Sequence, residues 1–461
     1  MIQKVIPRFV ISISRGTPVR QPGAIRFGPL YGLDKICDSI IMELDSNIIE
    51  RRCSMYYHRH IEPVVERIAK RKPVLVLTGA RQVGKSTMLR EVYKNINYIA
   101  LNRPIVRESA KDNPSLFFDV YKPPVVVDEI QKAPELFDYI KDIVDEGKVK
   151  GQFYLTGSQS MKLMKNVSDS LAGRAGVIRM LGLSLRELAG SDFREPFLPV
   201  PERTTRMENV DWSYDKLVSC IHKGFFPELY ETESDLHDWS DYYSSYFQTY
   251  IEKDIKDVLN IQDESAFIKF VRATAALTGE MLNLTTMAEI CGKDVKTVKA
   301  WLSVMESGGL VYLLEPYYNN FNKRMIKTPK LYFLDTGFAC WLLGWNTPEQ
   351  LVNGAMWGHI FESFVFTEIL KSYYNDGIVK PPLYYYRDAD KNEIDLIVED
   401  GDSLYPVEIK TTGDPARSMV KAFRLLDSIP AKKVGTGVIV CLAKERLPLT
   451  DNVWTLPAQM I

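Results

Sequence analysis

The chain has 461 residues, 46% of them hydrophobic, and 58 Lys and Arg against 59 Asp and Glu give a formal net charge of −1. That length allows two to four domains with real cores, and the balance excludes a wholesale polycation, so any nucleic-acid contact has to come from local basic patches. Six scattered cysteines make no C-x-x-C pair, which excludes an evident zinc site or disulfide framework and points to a reducing cytoplasm.

No apolar run approaches the roughly 20 residues of a membrane span. The apolar segment 9–13 is too short and too polar for a signal peptide. Residues 1–54 carry little pattern and are expected to form a loosely ordered extension. From Tyr56 the sequence becomes regular: residues 61–69 have helical spacing and lead into the apolar run 74–77, which reads as a buried strand. The stretch PVLVLTGARQVGKST follows the G-x-x-x-x-G-K-[ST] pattern through Gly79, Ala80, Arg81, Gln82, Val83, Gly84, Lys85, Ser86 and Thr87. In a strand–loop–helix setting, such glycines let backbone N–H groups turn inward around an anion, and the helix N-terminus adds favourable partial charge. Lys85 is placed to reach the β- and γ-phosphates, and Ser86 to offer its hydroxyl to Mg²⁺. ATP and Mg²⁺ are therefore the expected ligands.

Further apolar runs at 98–101, 125–127, 153–156 and 177–183 alternate with helical patterns, as in a parallel α/β sheet with ligands at the strands' C-terminal ends. The third delivers an acid pair in VVVDE, a Walker B pattern. Asp128 is expected to hold Mg²⁺ through water, and Glu129 to orient or deprotonate the attacking water. Thr156 and Ser158 are both candidates for a polar sensor of the γ-phosphate. Arg174, in LAGR, is a candidate for stabilising γ-phosphate charge in its own subunit or a neighbouring one, the latter in a homo-oligomer.

Residues 191–211 read as a linker, and 214–277 as mostly helical with a turn-like break at GFFPE and an aromatic run at 242–250 that suits a core. Residues 284–290 and 295–306 read as two helices joined by a turn at 291–294. Gly308-Gly309 ends the second, and 310–314 is a strand, which together suggest a winged helix. Lys293, Lys296 and Lys299 put positive charge on the second helix, where a DNA-reading helix needs it.

Towards the C-terminus, a helix at 359–370 carries Glu362, and strands at 384–387, 393–399 and 404–410 form hairpins with a turn at Asp400-Gly401-Asp402. Alternation puts Glu393 with Asp395, and Glu408 with Lys410, on shared faces, and a tight turn brings Asp395 within about a residue of Glu408. Asp395, Glu408 and Lys410, with Glu362, are thus expected to converge. Carboxylates on strands suit Mg²⁺, and a neighbouring lysine suits positioning a metal-bound water against a phosphodiester. The Asp395…Glu408-Ile409-Lys410 spacing resembles the PD-(D/E)XK nuclease superfamily.

With the phosphate loop, VVVDE, LTGS, LAGR, GFFPE, YIEKDI, the winged helix and NEIDLIVE…VEIK in this order, the chain from about Tyr56 to beyond Lys410 resembles a class of bacterial and archaeal ATP-binding proteins. These join an N-terminal AAA-type ATPase to a C-terminal domain of unknown function with a PD-(D/E)XK-like core. The resemblance implies nucleotide binding through Gly79, Gly84, Lys85, Ser86, Asp128 and Glu129. Lys391 stands where relatives often have glycine. The expected architecture is α/β: an extension over 1–54, an AAA-type P-loop core over 55–190, a linker and helical region over 191–280, a winged helix over 281–318 and a PD-(D/E)XK-like α/β domain over 319–461. Two functions suit it: an ATPase acting on or regulated by DNA through the winged helix and C-terminal domain, or a regulatory ATPase switch that binds protein partners and carries an inert nuclease-like domain.

Overall fold

The apolar runs that end in a glycine, an acid or a serine assemble side by side as parallel strands. In this computed structural model residues 56–461 are described, except 159–160, 208–209, 232–235, 250–262, 319–327 and 389. The expected N-terminal extension and the YIEKDI motif lie outside the described residues.

The first sheet joins β1 (Val74–Gly79), β2 (Asn97–Ala100), β3 (Val125–Asp128), β4 (Phe153–Ser158) and β5 (Ala175–Arg179) in the order β2-β3-β4-β1-β5, with every pair parallel. The central strands β1, β3 and β4 are buried on both faces, which explains their apolar runs. Val74, Val76, Val125 and Val127 pack on one core with Ile140 and Leu163, while Leu75, Leu77 and Val126 enter a second core. Because β4 lies between β1 and β3, Thr156 stands between the phosphate loop and the acid pair.

The middle of the chain packs the helix Glu264–Ala276 with the helices Leu284–Cys291 and Val295–Ser307 against an antiparallel sheet of β6 (Glu280–Met281), β7 (Val311–Leu314) and β8 (Lys330–Phe333), ordered β6-β8-β7. The turn between the second and third of these helices forms for local reasons. Gly292 ends the former in the left-handed region, and the Asp294 carboxylate caps the latter by accepting from Thr297 N–H. Since β8 pairs with β7, the expected boundary at 318 runs through a sheet and is corrected: the hairpin's second strand lies beyond it.

The helix Trp357–Asn375 is buried on nearly every side, and its apolar residues join the core that also holds Leu75, Leu77 and Val126. A mixed seven-stranded sheet follows. It contains β9 (Leu383–Arg387), β10 (Glu393–Asp400), β11 (Ser403–Ile409), β12 (Lys433–Val434), β13 (Gly437–Cys441), β14 (Pro448–Thr450) and β15 (Val453–Pro457), in the order β14-β15-β13-β11-β10-β9 with β12 beside β11. Its other side is covered by the 3₁₀ helix Arg417–Ser428 through Val420, Phe423 and Leu426. Lys391 takes a φ of 67°, so the turn before Asp395 keeps a glycine-like backbone despite the lysine. No helix among the described residues is long and apolar enough to cross a membrane.

Candidate nucleotide site and C-terminal cluster

β1 ends at Gly79, and the helix Lys85–Val92 starts after Gly84, whose φ is 91°. Gly79 is required by close approach: a Cβ there would stand 2.2 Å from the Met180 carbonyl oxygen, which is main chain. The buried Lys85 ammonium donates to the carbonyls of Gly79 (3.0 Å) and Ala80 (2.6 Å). Burial pulls its pKa down to about 8, against the opposing pull of Glu129 and Asp128. The loop is braced by a residue without any local motif. Arg59 donates to the carbonyls of Val83 (2.8 Å), Leu181 (2.8 Å) and Gly182 (3.0 Å), and pairs with Glu187 at 3.1 Å. Burial pushes the Glu187 carboxyl up, but Arg59, His60 and two backbone N–H groups outweigh it and hold the pKa below the usual range.

The acid pair meets this loop. Asp128 accepts from Ser86 Oγ at 2.6 Å, from the Tyr98 hydroxyl at 2.5 Å and from Thr156 Oγ1. Glu129 is left-handed, with φ 60°, its N–H donates to Thr156 Oγ1 at 3.2 Å, and its carboxylate accepts from Gln131 Nε2. Gln131 Nε2 also lies 3.2 Å from Ser158 Oγ. The two sensor candidates therefore differ. Thr156 is fully buried and committed to the acid pair, whereas Ser158, opposite Gly79 in register, stands at the rim with Gln131. Gln131 and Tyr98 were not singled out from sequence. The only local signal is the glutamine two places after Glu129.

A cavity of ≈ 350 Å³ opens here. Arg81, Gln82, Lys85, Ser86 and Glu129 line one side, and Pro227, Glu228 and Glu231 the other. The GFFPE break is thus a wall of the phosphate-loop cavity. Its neighbour Tyr242 donates to Gln82 Oε1 at 3.0 Å, and a Cβ on Gly84 would meet Pro227 Cγ at 3.5 Å. Burial, and then Glu231, push the Glu228 carboxyl up. The glycine cradle, the buried ammonium and the hydroxyl–carboxylate pair of Ser86 and Asp128 are a donor set that fits a nucleotide with Mg²⁺.

Arg174 is not part of this constellation. Its carbonyl faces Val74 N–H at the start of β1, the end of the strand opposite Gly79. Its guanidinium grips Asp145 in two hydrogen bonds, of 2.5 and 2.7 Å. The expectation that Arg174 serves its own subunit's phosphate is therefore corrected.

At the C-terminal cluster the register Leu396↔Val407, continued by one residue, sets Asp395 beside Glu408. Lys410 Nζ lies 2.6 Å from Glu408 and 3.3 Å from Asp395, and Asp395 also accepts from Ile409 N–H at 2.9 Å. Glu362 reaches the group through a residue the sequence reading passed over. Lys330, on β8, lies 2.6 Å from Glu393, 2.8 Å from Glu362 and 3.8 Å from Asp395, and Tyr332 donates to Glu362 at 2.6 Å. Burial lowers the Lys330 pKa, but Tyr332 and the three carboxylates lift it well above the usual range. Burial and Asp395 raise Glu408 to about 8. Glu362, Asp395 and Glu408 were expected to hold Mg²⁺. In this structure two ammonium groups lie among them: Lys330 beside Glu362 and Asp395, and Lys410 beside Glu408 and Asp395, and no group of three His, Cys, Asp or Glu that could hold a metal ion is found among the described residues. The signal was present in KLYF, where alternation places Lys330 and Tyr332 on one face of an otherwise apolar strand.

Lys293 lies in the turn before the helix Val295–Ser307 and is paired with Asp263 at 2.7 Å, whereas Lys296 and Lys299 are on that helix and exposed.

Comparison with known proteins follows these divisions. Residues 71–189 match the AAA domain family, and residues 214–349 and 357–461 match two domains of unknown function, DUF8612 and DUF4143. The chain is 28% identical over 417 residues to uncharacterised proteins of Mycobacterium tuberculosis and Mycobacterium bovis, covering 89% of this chain and 85% of each relative. Among solved structures it is similar to a Walker-type ATPase of Pyrococcus abyssi, with 15% identity over 62% of this chain and 96% of that one and a TM-score of 0.40. It is also similar to the RuvB Holliday junction branch migration motor of Thermotoga maritima, with 15% identity, coverage of 55% and 87%, and a TM-score of 0.27. The segment that carries the phosphate loop and the acid pair thus lies within the match to the AAA domain family, and the matches to the two domains of unknown function follow it in the chain.

Proposed function

We propose that the protein is an ATP-hydrolysing switch, in which the nucleotide bound at Gly79–Thr87 sets how residues 214–349 sit against the AAA-type domain. The observation that carries this reading is the shared cavity. Phosphate-loop residues form one wall, and Pro227, Glu228 and Glu231 form the other. A γ-phosphate that comes or goes there bears on both walls at once.

In this reading the loop's N–H groups and Lys85 bind the phosphates, and Ser86 and Asp128 hold Mg²⁺, which neutralises charge on the phosphate oxygens. Glu129 takes a proton from the attacking water, held in place by Thr156 and Gln131. Ser158 reads the γ-phosphate. Arg174, turned away from its own site, serves the site of a neighbouring copy. The C-terminal domain keeps a nuclease-like hairpin but does not cut, because a buried ammonium sits among the carboxylates that a metal would need. It acts as a docking module for a partner. A second reading, DNA contact through a winged helix at 281–318, is favoured by the capped helix pair backed by β6-β8-β7, with Lys296 and Lys299 exposed.

An ATP titration of the wild type and of Lys85→Ala tests the nucleotide assignment. The wild type should bind, and Lys85→Ala should not. Free Lys85 loses its proton near pH 8, and a bound polyphosphate holds that proton on, so binding takes up a proton above that pH. Affinity should fall roughly tenfold at one unit above it. Normal binding by Lys85→Ala would remove the site.

A further inference from the structure

A basic cleft lies away from both sites. A cleft of ≈ 870 Å³ lies between the 3₁₀ helix Arg417–Ser428 and the hairpin of β14 and β15, and none of the cluster's carboxylates or lysines lines it. Arg417, Lys421 and Arg424 stand on its rim, all exposed, and none of the three side chains makes an ion pair among the described residues. Asp451 is the one acid in the lining.

The helix type gives the charges an order. In a 3₁₀ helix side chains three residues apart eclipse, with a rise of about 2.0 Å per residue. One column, Val420, Phe423 and Leu426, is buried on the sheet. The next, Ser418, Lys421 and Arg424, therefore forms a straight row with a step of about 6 Å, on the order of the spacing of neighbouring phosphates along one strand. Asp427 ends the row. Opposite it, Thr450 on the hairpin adds a hydroxyl, and Asn452 an amide that spends one N–H on the Gly435 carbonyl at 2.9 Å and keeps a second. Cations spaced in a row, a hydroxyl in the same row and amide and hydroxyl donors across a trough are the groups that grip phosphate oxygens. The single aromatic in the lining, Phe423, is buried, so nothing stacks on a base.

We propose that this cleft of the C-terminal domain is a docking groove for a nucleic-acid strand, gripped by its phosphates and read without regard to sequence. It stands independently of the ATP assignment. It also differs from the winged-helix reading, which uses other lysines.

The test is fluorescence anisotropy of the full chain with labelled single-stranded and duplex DNA across about 50–200 mM salt. The variants are Lys421→Ala/Arg424→Ala and, separately, Lys296→Ala/Lys299→Ala, each checked by its melting temperature. The wild type should bind, with affinity falling steeply with salt. Lys421→Ala/Arg424→Ala should flatten the log–log salt slope by about two and weaken binding at least tenfold at the lower salt, while melting as the wild type does. Binding that survives this pair, or is lost only in Lys296→Ala/Lys299→Ala, overturns the proposal. So does a wild type that ignores DNA but binds poly-glutamate, which would make the cleft a dock for an acidic protein.

Discussion

Glu129→Gln should bind ATP as the wild type does and hydrolyse it on the order of 10²–10⁴-fold more slowly, the range spanned by the loss of a positioned general base. The change leaves the phosphate loop, Lys85 and the Ser86–Asp128 pair untouched. It also keeps the left-handed backbone that lets the Glu129 N–H reach Thr156 Oγ1. The new amide has a local partner, because Gln131 Oε1 is buried without a hydrogen bond and a turn of that side chain presents it. Structure and affinity should therefore survive while proton transfer fails. Phosphate release beside a binding titration separates the two, and wild-type turnover would take Glu129 out of the chemistry.

Lys330→Met should lower stability by about 3–5 kcal/mol, the cost of leaving buried charge uncompensated. Glu362, Glu393 and Asp395 share that ammonium, and the lysine side chain is only 4% exposed. Methionine keeps most of the volume, so the loss is electrostatic rather than a cavity. Lys330→Met/Glu362→Gln removes one negative charge as well and should recover part of the loss, a coupling that a packing effect would not show. Chemical denaturation of the two variants and the wild type reads it out. Unchanged stability in Lys330→Met would mean that the lysine does not neutralise the cluster, and would reopen the carboxylates to a metal.

The contrast between the two sites explains what the sequence discloses. The phosphate loop is legible because its chemistry is local: Gly79 to Thr87 lie within one strand–loop–helix, and Asp128 with Glu129 end one strand. Even there the supports are remote. Arg59 reaches Val83 and Leu181 across the fold, and Tyr98 reaches Asp128 from the edge strand. The second wall at Pro227 and Glu228 belongs to another part of the chain, and no spacing rule joins GFFPE to a glycine loop more than a hundred residues earlier. At the C-terminus the hairpin register is legible, because alternation and a tight turn fix Asp395 against Glu408. Whether those acids face a metal or a lysine depends on β8, a strand of the middle sheet, and periodicity within the hairpin carries no information about it. Arg174 shows the same limit from the other side. Its place after a strand was legible, but which end of the sheet it occupies followed only from the parallel register of β5 with β1.

Nucleotide at the phosphate loop should be felt by residues 214–349. Amide hydrogen exchange of the Glu129→Gln protein, with and without ATP and Mg²⁺, tests it most directly. The phosphate-loop helix and the segment from Gly224 to Tyr246 should change their protection together, since Pro227, Glu228 and Tyr242 stand against Gly84 and Gln82. Protection that rises in the loop while that segment exchanges as before would contradict it, and would leave an ATP-binding domain uncoupled from the rest of the chain.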